Sequence, residues 1–312
     1  MPSNPGKDIL MIALGGNALI KKGQKGTLQE QFENLKVPIE QIAQLSLDYR
    51  LIVTHGNGPQ VGNLLLQQEY CDEVPKMPLE ILVAQTQGQI GYMIESSLDN
   101  EFMRRGLETR KLFVTVLSYV MVDEHDPAFR KPTKPIGPYF PKEMAHKLPF
   151  PCVETPFGCR RVVASPEPLT VVEKREIRKL LEMDYIVISC GGGGIPVIKE
   201  SRSYHGVDAV IDKDLASCVL AREVGAATLL IATDVKGVAL SYGKEEERYL
   251  PSMSVHEAEW HMSRGEFPEG SMGPKVMAAV RFLKGGGRRA LITSVEDIFA
   301  GVMGRAGTEF TM

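Results

Sequence analysis

Short apolar runs ending in glycine or a small polar residue recur along this chain, separated by longer stretches with helical spacing. The runs are "DILMIAL" before Gly15, "RLIVTHG" at 50–56, "LFVTVLSYV" at 112–120, "YIVISCGG" at 185–192, "ATLLIATD" at 227–234 and "RRALITS" at 288–294. Most alternate poorly between apolar and polar, as parallel strands covered on both faces do. Helical spacing occupies part of 29–48, where Pro38 starts or interrupts it, then 59–70, 78–104, 168–183, 212–223, 254–263, 273–284 and 295–303. Strand and helix alternating in this way predict an α/β chain with an open, largely parallel sheet and helices on both sides.

One segment breaks the rhythm. Residues 123–168 hold half of the chain's 20 prolines and are too long for an ordinary connection, so an inserted lid subdomain is expected there. At 312 residues the chain is large enough for one big α/β domain or two lobes. A net charge of −3 offers no global basic footprint, which argues against a nucleic-acid partner and makes any anion site local. The five cysteines lack paired C-x-x-C spacing and an even count, so buried thiols in a reducing compartment are expected rather than disulfides or zinc. The polar start "MPSNPGKDIL" has no apolar signal core, and no apolar run approaches the roughly 20 residues of a membrane helix. A cytoplasmic protein is the expectation.

Ligands of open parallel sheets bind beyond the C-terminal ends of the strands. Three glycine clusters fall at such ends: Gly15, Gly16 and Asn17; Gly56, Asn57 and Gly58; and Gly191 to Gly194. Glycine lets backbone N–H groups close on an anion with no Cβ in the way, so these clusters are candidate phosphate-binding turns, Gly192 and Gly193 included. No G-x-x-x-x-G-K-[ST] is present, "GNGPQVG" misses the dinucleotide spacing, and no strand-end acid follows about 20 residues later. G-x-S-x-G is missing too, and the six histidines lack metal spacing. His55 reads as a structural histidine.

Three lysines have constrained surroundings. Lys134 lies between Pro132 and Pro135, Lys213 between Asp212 and Asp214 at a helix start, and Lys275 after "GSMGP". Cations converging on glycine-rich anion cradles suit phosphoryl transfer, whose catalysis is mostly positioning and charge neutralisation.

The motifs "IALGGNAL", "THGNGPQVG", "KPTKPIG", "GGGGIPV", "GVDAVIDKDLAS", "TDV" at 233–235 and "GSMGPKV" occur in order from Ile12 towards Thr308. Together they resemble the carbamate kinases, a branch of the amino acid kinase family. Lys131 departs from the asparagine usual in those relatives before "PTKPIG", and could alter lid behaviour. Other kinases of the wider family carry a lysine two residues before the first glycine pair, where this chain has Ala13.

The resemblance implies an α/β/α sandwich with an eight-stranded sheet, a homodimer, and Mg²⁺ carried by ATP or ADP, with no metal site of the protein's own. It implies reversible phosphoryl transfer between ATP and carbamate, giving ADP and carbamoyl phosphate, with the ATP-forming direction suiting arginine catabolism. Residues 1–190 would form the acceptor lobe and 191–312 the nucleotide lobe. Lys213 would sit on the transferring phosphoryl group in place of the lysine missing at Ala13, and Asp214 would hold Lys213 and Lys275. Lys134 would act from the lid. Asp234, Val235, Met272, Gly273 and Lys275 would meet the nucleotide. Asp212 would be a helix cap, and Asp208 stays open between loop geometry and substrate binding. The rival readings are a carbamate-kinase-like carbamoyl-phosphate synthase, a kinase of another small acid, and a nucleotide-binding regulator without catalysis.

Overall fold

Every residue of strand β1, Ile9–Leu14, is buried, and its alternate side chains feed two separate cores. Ile9, Met11 and Ala13 face one, and Leu10, Ile12 and Leu14 face the other. A strand apolar on both faces can be satisfied only between two layers of helices, each buried aliphatic side chain contributing roughly 1.5–3 kcal/mol. The computed structural model describes residues 6–312 except 109, 156 and 269, and does not describe the side chains of Asn17 and Lys147.

The main sheet adds β2 (Arg50–His55), β3 (Phe113–Val116), β4 (Ile186–Ser189), β5 (Thr228–Thr233), β6 (Ser252–Ser254), β7 (Arg289–Ser294) and β8 (Thr308–Thr311). Its eight strands run in the order β6-β8-β7-β5-β1-β2-β4-β3, with every pairing parallel except β7 with β8. The helices are α1 (Leu28–Leu45), α2 (Gly58–Glu69), α3 (Leu79–Arg104), α4 (Lys174–Glu182), α5 (Lys213–Val224), α6 (Val255–Ser263), α7 (Met272–Lys284) and α8 (Ile298–Val302). Helices α4, α5, α6 and α7 share the core of Met11, while α1, α3 and α8 share that of Ile12. The fold is the expected three-layer sandwich. After β1 the chain adds β2, then the edge strand β3, then β4 between those two, and restarts on the other side with β5. Its switch point therefore lies at β1, where ligand crevices form.

The structure corrects several local expectations. Helix α1 starts at a Thr27–Glu30 capping box and runs through Pro38, because burial of Leu35, Pro38, Ile39 and Ile42 offsets the missing N–H. The run at 112–120 splits at Ser118, which is buried and donates its N–H to Gln87 Oε1 (2.9 Å). Its second half, Tyr119–Met121, joins another sheet, with Ile195–Glu200 on one side and Thr170–Val171 on the other. Residues 170–171 are therefore strand, and α4 begins only at Lys174. The short strands β6 and β8 carried no apolar run long enough to read.

Within 123–168 a three-stranded antiparallel sheet forms from Lys134–Phe140, Cys152–Thr155 and the central strand Gly158–Val163. It rests on α2 at Gly62, where a Cβ would overlap the backbone of Gly137, itself at φ +71°. A disulfide joins Cys152 to Cys159 here, contrary to the expectation of thiols throughout. The two residues lie diagonally on neighbouring strands of one tight hairpin, a proximity that residue spacing alone did not reveal. Cys190 and Cys218 are buried free thiols, as expected of them.

Candidate active site

The C-terminal ends of β1, β2, β4 and β5 surround a cavity of about 260 Å³. Gly15 and Gly16 enter it from β1, Gly56, Asn57 and Gly58 from β2, and Gly192 from the turn after β4. That turn runs through Gly192, Gly193 and Gly194 at φ +66°, +90° and +89°. A Cβ at Gly192 would strike the Asn57 side chain, and one at Gly193 the Ile211 carbonyl. The glycines thus let three chain segments meet.

They do so differently from a simple amide cradle. Gly15, Gly56 and Gly193 donate their N–H groups to the carbonyls of Ala232 (2.8 Å), Leu14 (3.0 Å) and Cys190 (3.0 Å), so they shape the wall. Asn57 Nδ2 donates to Thr86 Oγ1 at 2.8 Å, which occupies that side chain within the fold. What faces the cavity from β2 is the start of α2 at Gly58, a favourable end for an anion. The backbone of Asn17 continues the turn after Gly16, while its side chain lies outside the described residues.

Helix α5 supplies the charges. Asp212 is its N-cap, Oδ1 accepting from the N–H groups of Asp214 (2.9 Å) and Leu215 (3.4 Å). Its other oxygen takes Lys134 from the inserted sheet, so Asp212 does more than cap. Ser217 Oγ donates to the Lys213 carbonyl (2.6 Å) and meets Thr54 Oγ1 (2.7 Å), tying this first turn to β2. Lys213 Nζ bonds Asp214 Oδ1 and approaches the Ala13 carbonyl at 3.5 Å. The ammonium therefore lies over the β1 position where a lysine was missing. Lys275, in the first turn of α7, bonds Asp214 Oδ2 at 3.0 Å.

Burial by itself would raise the Asp214 carboxyl, but the flanking Lys213 and Lys275 hold it well below the usual carboxylate range. Burial, reinforced by repulsion from Lys275, lowers Lys213 despite the pull of Asp214. For Lys275, burial is outweighed by Asp214 and the proton is held more tightly than usual. Two lysines share one carboxylate, which leaves a local positive charge aimed at the glycine turns. An anion arriving there would stabilise both ammonium groups.

A second cavity of about 290 Å³ adjoins the first, with Thr233, Gly270, Ser271 and Lys275 lining both. Asp234, Val235, Tyr242, Glu266, Phe267 and Met272 are among the other residues of its walls. Gly273 instead borders a neighbouring groove and donates its N–H to Pro268 (2.9 Å). Asp208 is exposed, and its carboxylate accepts from the Leu79 N–H (3.2 Å) at the start of α3, outside the linings of both cavities. Arg160, also in the first cavity, was not picked out by sequence. Its only sequence signal is a pair of arginines inside the apolar strand "GCRRVV".

His55 ends β2 beneath this assembly, 1 % exposed, with Nδ1–H donating to the Gly56 carbonyl at 3.2 Å. Burial pushes its pKa down to about 4, and the nearby Lys213 acts in the same direction. It is a neutral structural ring. Because its folded pKa is depressed, it contributes stability that is complete above about pH 6.5 and is lost as pH falls towards about 4. The full loss amounts to roughly 3 kcal/mol. Urea unfolding at pH 7 and pH 5 is expected to show a smaller acid-induced loss in His55→Gln than in wild type. Parallel losses in the two proteins would show that His55 is protonated in the folded state.

Two adjoining cavities, one glycine-walled and cationic and one more apolar, across the switch point of a parallel sheet define a phosphotransferase site. The amino acid kinase family profile matches residues 8–294, and the chain belongs to that family of ATP-dependent kinases. Among its relatives are the carbamate kinase of Pyrococcus horikoshii, 47% identical over 97% of this chain and 98% of the relative, and the carbamate kinase-like protein YahI of Escherichia coli, 41% identical over 97% and 98%. The carbamate kinase of Giardia lamblia solved with citric acid superposes with a TM-score of 0.91 at 36% identity, covering 98% of each chain. The same enzyme solved with AMP-PNP gives 0.88 at 37%, covering 98% of each chain. Within the family this chain stands among the carbamate kinases.

Proposed function

We propose that the protein catalyses reversible phosphoryl transfer between ATP and carbamate, giving ADP and carbamoyl phosphate. The observation that carries this reading is the Lys213–Asp214–Lys275 cluster, set where the glycine-walled cavity meets its neighbour. A carbamate oxygen attacks the γ-phosphorus while the bond from that phosphorus to the bridging oxygen breaks, and ADP leaves with the electron pair. Carbamate is already anionic at neutral pH, so no general base is required. The difficulty is repulsion: at about 4 Å and an effective dielectric near 20, each pair of unit charges costs roughly 4 kcal/mol.

In this reading Lys213 faces the transferring phosphoryl group, and Lys275, which lines both cavities, bridges towards the nucleotide phosphates. Asp234, Val235 and Met272 hold the nucleotide. The turns of Gly16 and Gly58 and the side chain of Lys134 serve the acceptor side. Residues 1–190, with the 123–168 insertion, form the acceptor lobe and 191–312 the nucleotide lobe. The nucleotide would carry Mg²⁺ as part of the substrate, and the ion would supply charge neutralisation at the phosphates. Both Asp212 and Asp214 are engaged by lysines, and of the two carboxylates beside the nucleotide cavity Glu266 accepts from the Ser241 N–H (2.5 Å), while Asp234 meets only the neighbouring Thr233 hydroxyl (3.1 Å). We further place the protein in the cytoplasm, in arginine metabolism and as a homodimer. Exposed Leu112 and Leu117, flanking the edge strand β3, offer the dimer surface. No helix among the described residues is long and apolar enough to cross a membrane.

ATP formation from ADP and carbamoyl phosphate tests the reading directly, with acetyl phosphate as the competing donor. A preference for acetyl phosphate would favour the second reading, a kinase of a different small acid. Lys134 gives a sharper test of the division of roles. Lys134→Ala is expected to abolish most carbamate-dependent turnover while leaving ADP affinity, measured by calorimetry, within a few-fold of wild type. A tenfold loss of ADP affinity, about 1.4 kcal/mol, would put Lys134 on the nucleotide side.

A further inference from the structure

The cavity of the glycine turns is lined by four cations, Lys134, Arg160, Lys213 and Lys275, and by two carboxylates, Asp212 and Asp214. Each lysine is paired: Lys134 with Asp212, and Lys213 and Lys275 with Asp214. Arg160 differs. Among the described residues it meets no carboxylate, and its Nε donates to the Gly137 carbonyl at 2.8 Å. That bond fixes the guanidinium plane and leaves the terminal Nη groups for something else. One of them, Nη2, lies 4.0 Å from where a Cβ on Gly58 would stand, at the opening of α2. The anchor is firm, since Gly137 packs directly on Gly62 of that helix. The Tyr139 ring lies 5.3 Å from the guanidinium on its other side.

The geometry points to Arg160 as the residue that binds the carboxylate of the acceptor. A half-buried guanidinium held at Nε presents two parallel N–H donors, the arrangement that matches a planar carboxylate in bidentate fashion. A lysine already bound to an aspartate does not offer this. Arg160 and the N-terminus of α2 lie in the cavity away from Asp234, Val235 and Met272, so the ligand they share is the acceptor rather than the nucleotide. The fork engages one lone pair on each carbamate oxygen, which leaves a further lone pair on one of them to attack phosphorus, and in carbamoyl phosphate the same donors hold the carbonyl oxygen. A bulkier acid held by the same fork would meet the Gly58 backbone, so the site is expected to prefer small planar carboxylates. The inference deepens the functional reading above and rests on it.

The test uses the full-length enzyme with Arg160→Ala and Arg160→Lys, following ATP formation from ADP and carbamoyl phosphate. Both variants are checked for wild-type secondary structure and melting first. KM for carbamoyl phosphate is expected to rise about tenfold or more in Arg160→Ala, with ADP affinity by calorimetry within about twofold of wild type. Arg160→Lys keeps the charge without the fork, and is expected to recover only part of the loss. Added guanidinium ion should partly restore the alanine variant. A KM within about twofold of wild type in both variants, whatever happens to kcat, would overturn the assignment. So would an equal loss of ADP affinity. If Arg160→Ala fails to fold, the lysine variant alone decides by the same KM criterion. A wild-type protein that makes no ATP from these substrates would instead defeat the functional reading, and this inference with it.

Discussion

Lys213→Ala is expected to lower kcat by at least about 10²-fold, as removal of one preorganised charge-stabilising group does elsewhere. Its ammonium is buried and held between the Ala13 carbonyl and Asp214, and in the proposed reaction it faces the transferring phosphoryl group. The loss should fall on kcat more than on either KM, because the interaction strengthens as the phosphoryl group transfers. The fold should survive, since Asp214 keeps Lys275 as a partner and the α5 cap at Asp212 is untouched. Turnover close to wild type in a well-folded variant would remove Lys213 from the reaction.

Asp214→Asn is expected to be costly twice over. Asp214 is 2 % exposed and is the carboxylate shared by two buried lysines. Removing one member of a buried charge cluster typically destabilises by about 3–5 kcal/mol, because the remaining charges lose their compensation. The amide retains one acceptor oxygen, so the lysines should drift rather than leave, and kcat should fall with them. The pH dependence carries a definite sign. The folded carboxyl sits below its usual range, so its contribution is complete above about pH 4 and disappears as pH falls further. Urea unfolding should therefore show the widest gap between wild type and Asp214→Asn near neutrality, and a narrowing gap in acid. A variant with unchanged kcat and a constant gap would make Asp214 part of the helix start and nothing more.

The site was only partly legible before the fold was known. Lys213, Asp214 and Asp212 stand together in the chain, and "GSMGPKV" made Lys275 conspicuous, so their grouping could be anticipated. The N-cap role of Asp212 was also readable, because three residues at a helix start constrain one another locally. Its second bond, to Lys134 some 78 residues away, had no local signature. Asp208 was left open for the opposite reason. It sits among the other aspartates in sequence, yet the turn before α5 directs it to the first N–H of α3.

What the residues determined unaided was periodicity and chain chemistry. Buried strands with no polar face require helices on both sides, and glycines at strand ends announce a crevice, whatever the rest of the molecule does. The tertiary structure decided which of those groups remain free. Gly15 and Gly56 looked like anion donors until neighbouring strands claimed their N–H groups, whereas the Gly193 N–H goes to Cys190 within its own turn. Cys152 and Cys159 looked like thiols until one hairpin brought their sulfurs together. Arg160 drew no notice in the sequence, and only the fold, in which Glu69 takes Arg161, leaves it facing the cavity with no acid among the described residues. Whether a hydrogen bond or a charge is available depends on partners distant in sequence, and only chain closure supplies them.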